Sequence, residues 1–141
     1  MKSIMFVSSV ADPVSGESAV MMKCGDKEYT GKAHIHPDDV WGELTGCTLA
    51  EYRAVIKIFK DELKKQKYEY KILKNFVKAI ISYKDFDSNS SSAKKMFRQL
   101  NIKEKQVNKV KTTIDDLETI LQKMIIEKEN VKTKFSDSKD S

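Results

Sequence analysis

The chain has 141 residues, of which 40% are hydrophobic and 33% are charged, and this composition is typical of a folded domain rather than of a disordered tail. Its 5 Gly and 2 Pro are too few for the turns of a multi-stranded barrel or sandwich. The net charge of +5 comes from 26 Lys and Arg against 21 Asp and Glu, and nearly all the basic residues are lysine, which argues against a sequence-specific reader of DNA base edges.

Cysteine content and hydropathy indicate the cellular compartment of the protein. Cys24 and Cys47 are too few for a disulfide framework, so a reducing cytoplasm is expected. No apolar run approaches the roughly 20 residues of a membrane span, and the first ten residues lack the features of a signal peptide. The sequence therefore predicts a small soluble cytoplasmic protein with no membrane partner.

Residues 1–47 are acidic and are predicted to form a β-meander followed by a short helix, Val40–Leu44, with Asp38 or Asp39 as its cap. The β-prone runs, separated by Gly or Pro, cover residues 4–7, 18–24 and 28–35. So small a sheet is not stable alone, and we expect Val55 and Ile58 of the first long helix to cover one face.

Thr48 is predicted to begin that helix, because Thr48-x-x-Glu51 is a capping box, and neither Pro nor Gly occurs from Leu49 to Tyr83. Apolar residues then recur at a 3,4 spacing, with one polar member, as in a coiled coil. This first seam consists of Leu49, Tyr52, Ile56, Phe59, Leu63, Gln66, Tyr70, Leu73, Val77 and Ile80. A helix of about 52 Å needs a partner helix, since a compact domain of this size cannot bury it.

A second seam at the same spacing supplies the partner. It consists of Leu100, Lys103, Val107, Val110, Ile114, Leu117, Leu121, Met124, Lys128, Val131 and Phe135, in which the two lysines are polar positions. The predicted fold class is α+β, mainly α: a small antiparallel β-meander (1–47), a long antiparallel helical hairpin (48–135) whose second helix begins near Lys103, and a disordered tail (136–141). Pairing of the seams between two chains, in a homodimer, stays open.

The strongest candidate binding site is a row of eight basic residues, each one position after a member of the first seam. We call it the lysine row, and it comprises Arg53, Lys57, Lys60, Lys64, Lys67, Lys71, Lys74 and Lys78. Such a row attracts a phosphate backbone or an acidic protein surface. The alternative is a solvated flank whose lysine stems cover the seam.

Two other sites are weaker candidates. His34 and His36 point to one face if the strand persists, and Cys24 or a carboxylate could complete a metal shell, but no second cluster has ligand spacing. Cys47 lies beside a predicted helix start and is expected to be a packed residue, since no histidine partner is evident. We predict no enzyme, no bound metal and no cofactor, because no phosphate loop, nucleophile elbow or paired-carboxylate motif occurs.

Residues 96–110 resemble a helix-turn-helix in their apolar positions, with Asn101 at the tight turn and Lys105, Gln106, Asn108 and Lys109 facing the groove. Phe97 departs from the motif, since a small residue is usual there. A helix restart capped by Asn101 explains the same pattern, and we favour it.

Two clusters resemble small phage and prophage proteins in which a β-meander runs into a helix. They are Gly31-Lys32-Ala33 with Pro37 and Asp39, and Gly46-x-x-Leu49-Ala50-x-x-Arg53-Ala54. The resemblance covers residues 28–54, and its motifs are structural rather than catalytic. The chain differs by His34-Ile35-His36, where a Cys is usual, and by its long helical extension.

The resemblance implies a mobile-element accessory protein, a class that includes inhibitors of host defence. We therefore expect a non-enzymatic phage-derived inhibitor in the host cytoplasm, with a CRISPR effector nuclease as its partner. The alternative is a DNA-binding regulator or a nucleic-acid-binding coiled-coil protein of a mobile element.

Overall fold

The structure, a computed structural model, describes residues 1–34 and 43–139, and the side chains of residues 1–34 and 46–125. Its elements are strands β1 (Ile4–Ala11), β2 (Glu17–Cys24) and β3 (Lys27–His34), followed by helices α1 (Glu43–Ile81) and α2 (Ser91–Lys139). The prediction of an α+β, mainly α fold is confirmed.

The three strands form an antiparallel sheet in the order β1-β2-β3. Two tight turns connect them, and each contains a glycine with positive φ, Gly16 at 76° and Gly25 at 64°. The β1–β2 register shifts between Phe6 and Ser8, which is a β-bulge at Val7. On β2, buried residues alternate with half-buried ones, so one face of the sheet is the covered face.

The chain comprises two compact units, Met1–Phe59 with Ile114–Ser141, and Lys60–Thr113. In the first unit, the covered face of the sheet packs against the start of α1, and the later part of α2 packs against the same core. The buried members of this core are Val20, Met22, Ala33, Leu49, Ala50, Ala54 and Ile58, and its partly buried neighbours include Val55, Leu121, Met124 and Ile125. The predicted contact of Val55 and Ile58 with the sheet is confirmed.

Gly31 lets α1 approach the sheet closely. A Cβ added at Gly31 would lie 1.8 Å from the carbonyl oxygen of Ala50 and 2.5 Å from the amide nitrogen of Ala54. Both alanines have no exposed surface. The small side chains on the two elements therefore set the distance between β3 and α1.

In the second unit, α1 and α2 run antiparallel on either side of the connection at residues 82–90. Glu69 of α1 pairs with Lys103 of α2, and the rings of Phe86 and Phe97 meet edge to face at 6.3 Å. Val77, Ala93 and Val107 are buried in this unit. Within the chain, the two helices therefore pair as a hairpin.

The two seams that the 3,4 spacing predicts lie along these contacts. Every member of the first seam is buried or half-buried, and so is every member of the second seam from Leu100 to Met124. The side chains of Lys128, Val131 and Phe135 lie outside the described residues. The 3,4 spacing thus identified the packed face of each helix.

The predicted starts of both helices are wrong. α1 begins by Glu43, so Thr48 and Glu51 lie inside the helix and cannot form its capping box. Gly46 is buried, and Cys47 packs against the core, so tertiary contacts outweigh the roughly 1 kcal/mol that a glycine costs within a helix. Residues 40–42 of the predicted short helix, with Asp38 and Asp39, lie outside the described residues.

α2 begins at Ser91 rather than near Lys103. The Ser90 hydroxyl accepts a hydrogen bond from the amide of Ala93 at 3.1 Å and so caps the helix, while Ala93 itself is buried. The helix continues to Lys139, so the predicted tail begins inside it, and residues 140 and 141 lie outside the described residues.

Candidate partner-binding surface

The lysine row lies on the side of α1 next to the first seam. Its members follow seam positions, and in a helix this places them at the edge of the packed face. Arg53 is half-buried, and the other seven members are exposed. The row therefore presents its charges to solvent, as the heptad pattern predicts.

The first two members of the lysine row hold the edge of the sheet. The Arg53 guanidinium donates from Nη1 to the carbonyl oxygen of Lys32 at 2.7 Å, and the Lys57 ammonium donates to that of Thr30 at 2.6 Å. β3 is an edge strand, with β2 on one side only. α1 thus supplies donors to backbone groups of an edge strand, which gives Arg53 and Lys57 a role in the fold.

The later members carry charge that the described residues do not neutralise. Within the part of the chain that the structure describes, the side chains of Lys64, Lys67, Lys71 and Lys78 make no hydrogen bond and no ion pair. Lys74 lies 5.9 Å from the centre of the Tyr70 ring, at cation–π distance. Four consecutive turns of α1 therefore expose lysines that can meet an acidic surface.

Acidic residues on the other flank of the first seam are already engaged within the second unit. Glu62 accepts a hydrogen bond from Gln66 at 2.9 Å, and Glu69 accepts one from Lys103. The hydrogen bond from Lys103 holds the pKa of Glu69 below its ordinary value of 4.5. Glu69 therefore bridges the two helices and Glu62 is held within α1, and neither carboxylate pairs with Lys64, Lys67, Lys71 or Lys78.

The polar seam positions Gln66 and Lys103 lie in this same region. Lys103 reaches out of the seam to Glu69, whereas the Oε1 atom of Gln66 is buried and has no hydrogen-bond partner among the described residues. A buried carbonyl oxygen without a donor costs about 1–3 kcal/mol. Gln66 is therefore the member of the first seam that stabilises the pairing least.

The remaining sequence candidates do not assemble into a catalytic or metal site in the described part of the chain. His34 is exposed at the end of β3, His36 lies outside the described residues, and no group of three metal-ligating side chains occurs among the residues that were described. Cys47 is half-buried against the sheet–helix core, as expected of a packed cysteine, and the Cys24 thiol donates to the carbonyl oxygen of Lys2 at 3.4 Å.

Residues 96–110 lie within the single uninterrupted helix α2. The turn that a helix-turn-helix requires at Asn101 is absent from this stretch, and the helix restart that we favoured there is wrong for the same reason. Asn101 is exposed on the surface of the helix, and neither Pro nor Gly interrupts the helix in this segment. Lys105 and Lys109 remain exposed, but without the motif they have no recognition geometry.

A set of exposed apolar residues on α1 belongs neither to the predicted seams nor to the lysine row. Tyr68, Ile72 and Phe76 are 66%, 51% and 56% exposed, although they recur at the regular interval of four residues. That interval was visible in the sequence, but the stronger 3,4 seam accounted for the amphipathic pattern of the helix, and these residues were left unassigned.

The chain matches no protein-family model, no curated protein sequence and no solved structure. Among the helices of the described residues, neither is long and apolar enough to cross a membrane.

Proposed function

We propose that this protein is a non-enzymatic binding protein that engages an acidic surface of a partner protein through the lysine row of α1. The observation that carries the proposal is the exposure of Lys64, Lys67, Lys71 and Lys78, whose ammonium groups make no hydrogen bond or ion pair in the described part of the chain. Lysines in this state steer an acidic partner and form ion pairs with it on contact.

The surroundings of the lysine row favour a protein over duplex DNA. Lysine is a point charge that meets phosphates but cannot read base edges as arginine does, and only Arg53 in the row is an arginine. Exposed aromatic side chains such as Tyr68 and Phe76 lie on the same helix. Aromatic residues are enriched at protein–protein interfaces, whereas the outside of a duplex offers them no apolar contact.

We further propose that the partner is a host defence protein, and that the chain is a phage-derived inhibitor of a CRISPR effector nuclease. This step rests on the resemblance of residues 28–54 to phage accessory proteins. The mechanism is occlusion: a lysine-rich helix docks on the acidic surface around a nuclease site and blocks access to it. A chain with net charge +5 does not imitate nucleic acid. It would therefore bind the acidic surface around the site and would not take the place of the substrate.

The test is a DNA-cleavage assay with a purified effector nuclease and guide RNA, with and without this protein. The variant K64E/K67E/K71E/K78E reverses the exposed lysines and should abolish inhibition while keeping the helical circular-dichroism spectrum. A matched control, K95E/K105E/K109E/K111E, makes the same change of charge at exposed positions of α2 and should inhibit like the wild type.

A mobility-shift assay with duplex DNA completes the test. If the wild type binds DNA with a steep salt dependence, and the α1 variant loses that binding while cleavage is unaffected throughout, then the partner is nucleic acid and the proposal is wrong. Inhibition by the α1 variant equal to that of the wild type would also reject the lysine row as the contact surface.

A further inference from the structure

A second periodic row lies on the solvent side of α1 within the second unit. Tyr68, Ile72 and Phe76 follow one another at intervals of four residues, and Ala79, also exposed, follows three residues later. Residues at i, i+4, i+8 and i+11 share one face of a helix. We call these four residues the apolar row.

The apolar row is separate from the first seam and adjoins the lysine row. With the first seam at heptad positions a and d, Tyr68 lies at f, Ile72 at c and Phe76 at g, while Lys64 and Lys71 lie at b. Around a helix, position b is next to f, and f is next to c. The lysines at b therefore border the apolar row on one side.

The exposed area of the apolar row matches a small binding surface. At about 200 Å² for each large side chain, the exposed fractions of Tyr68, Ile72 and Phe76 correspond to roughly 350 Å². Patches of about 300–600 Å² on a single protein chain are often functional. A stable dimer usually buries about 800 Å² from each partner, which is more than this row offers alone.

We propose that the apolar row, with the adjacent lysines, is a docking surface for an acidic amphipathic helix of a partner protein. The proposal rests on the proposed function of the lysine row and specifies the chemistry of its partner. Apolar side chains at i, i+4 and i+8 match the anchors of a helix laid along them, and aromatic residues are frequent anchors at interfaces. Lys64, Lys71 and Lys78 on the flank select acidic residues beside those anchors.

Charge also argues against a second copy of this chain as the occupant. In an antiparallel pair formed through two apolar rows, the flanks that meet are the same on both helices, so lysines would face lysines. Like charges in that position are destabilising. A helix with glutamates on its flank meets the same lysines favourably.

The experiment measures fluorescence anisotropy of a labelled helical probe with the full chain. The probe is a designed peptide of about 20 residues with leucines on one face and glutamates beside them, and the matched probe has lysines in place of the glutamates. The variant I72S/F76S removes the centre of the apolar row, and I120S, at another exposed isoleucine, is its control. Both variants change exposed side chains, and circular dichroism checks that each is folded.

We expect the acidic probe to bind the wild type and I120S alike, and to bind I72S/F76S and K64E/K71E at least about tenfold more weakly. The basic probe should bind the wild type at least about tenfold more weakly than the acidic one. Equal binding of the two probes, absence of binding by the acidic probe, or full binding by I72S/F76S would overturn the proposal.

Sedimentation velocity of the wild type and I72S/F76S supplies the remaining outcome. A wild-type dimer that dissociates in I72S/F76S would assign the apolar row to a second copy and reject the proposal. Because no nuclease is present, the result is independent of the cleavage assay: probe binding without nuclease inhibition would reject the nuclease as target and leave the docking surface intact.

Discussion

Small residues govern the contact between β3 and α1. Gly31 faces Ala50 and Ala54, and the carbonyl groups on either side of it, at Thr30 and Lys32, accept hydrogen bonds from the lysine row. The pattern of small residues in this part of the chain is therefore explained by a strand–helix contact. A side chain at Gly31 would separate the two elements and lengthen both hydrogen bonds.

Gly31→Ala should therefore lower the free energy of unfolding by about 3 kcal/mol or more, because the added methyl group overlaps backbone atoms that cannot move independently of α1. Urea denaturation followed by circular dichroism measures the effect. Lys32→Ala, at the neighbouring exposed position, is the control and should change the stability by less than about 0.5 kcal/mol, since its carbonyl oxygen remains in place. Equal stability of Gly31→Ala and the wild type would contradict the close approach of strand and helix.

At the scale of the element, α1 has a packed side and a solvent side. The first seam, including the poorly satisfied Gln66, is buried or half-buried, and the Glu69–Lys103 pair bridges the two helices beside it. Because Glu69 is 40% exposed, its ion pair is screened by solvent and contributes less than about 1 kcal/mol. The contribution of this ion pair to stability depends on pH.

The hydrogen bond from Lys103 lowers the pKa of Glu69 in the folded state below 4.5, so the unfolded chain binds the proton more readily. The stabilisation is present above pH 4.5 and is lost as the pH falls through the folded-state pKa. Glu69→Gln does not titrate, so the wild type should be the more stable of the two at pH 7, and the difference should disappear on acidification below 4.5.

Thermal denaturation of the two proteins between pH 7 and pH 3 measures that difference. Glu104→Gln, at an exposed glutamate of α2, controls for the loss of one negative charge and should follow the wild type. A difference between wild type and Glu69→Gln that is independent of pH would show that the Glu69 carboxylate has no special partner.

The periodic features of the helices could be predicted from the sequence, whereas features that depend on contacts between distant residues could not. A 3,4 spacing directly reports which side of a helix is packed, and so the first seam, the second seam and the exposure of the lysine row followed from it. The start of α1 could not be predicted from the spacing. Thr48 has the local chemistry of a cap, but the packing of Cys47 and Leu49 extends the helix to residues before Thr48. The hydrogen bonds of Arg53 and Lys57 to β3 were also hidden, since they join residues more than twenty positions apart.

At the scale of the whole molecule, charge and apolar surface are distributed unevenly along the chain. Residues 1–47 are acidic and the two helices carry most of the lysines, while β1 exposes Met5, Phe6 and Val10 in addition to the apolar row of α1. Net charge of one sign opposes self-association at low ionic strength. The packed surfaces of both helices are already paired within one chain, so what remains exposed is available to other molecules.

The chain should accordingly be a monomer of 16.2 kDa in solution. Each described member of the two seams is buried or half-buried by intrachain contacts, so the seam positions from Leu49 to Ile80 and from Leu100 to Met124 are not free to form a dimeric coiled coil. Multi-angle light scattering across a roughly hundredfold range of concentration measures the mass, since a dimer held by a free seam would dissociate on dilution. A mass of twice the chain at every concentration would mean that the seams pair between chains, and Leu63→Asp should then shift the dimer towards monomer. In the monomer that we expect, the same substitution places an unpaired charge between α1 and α2 and lowers the melting temperature without changing the mass.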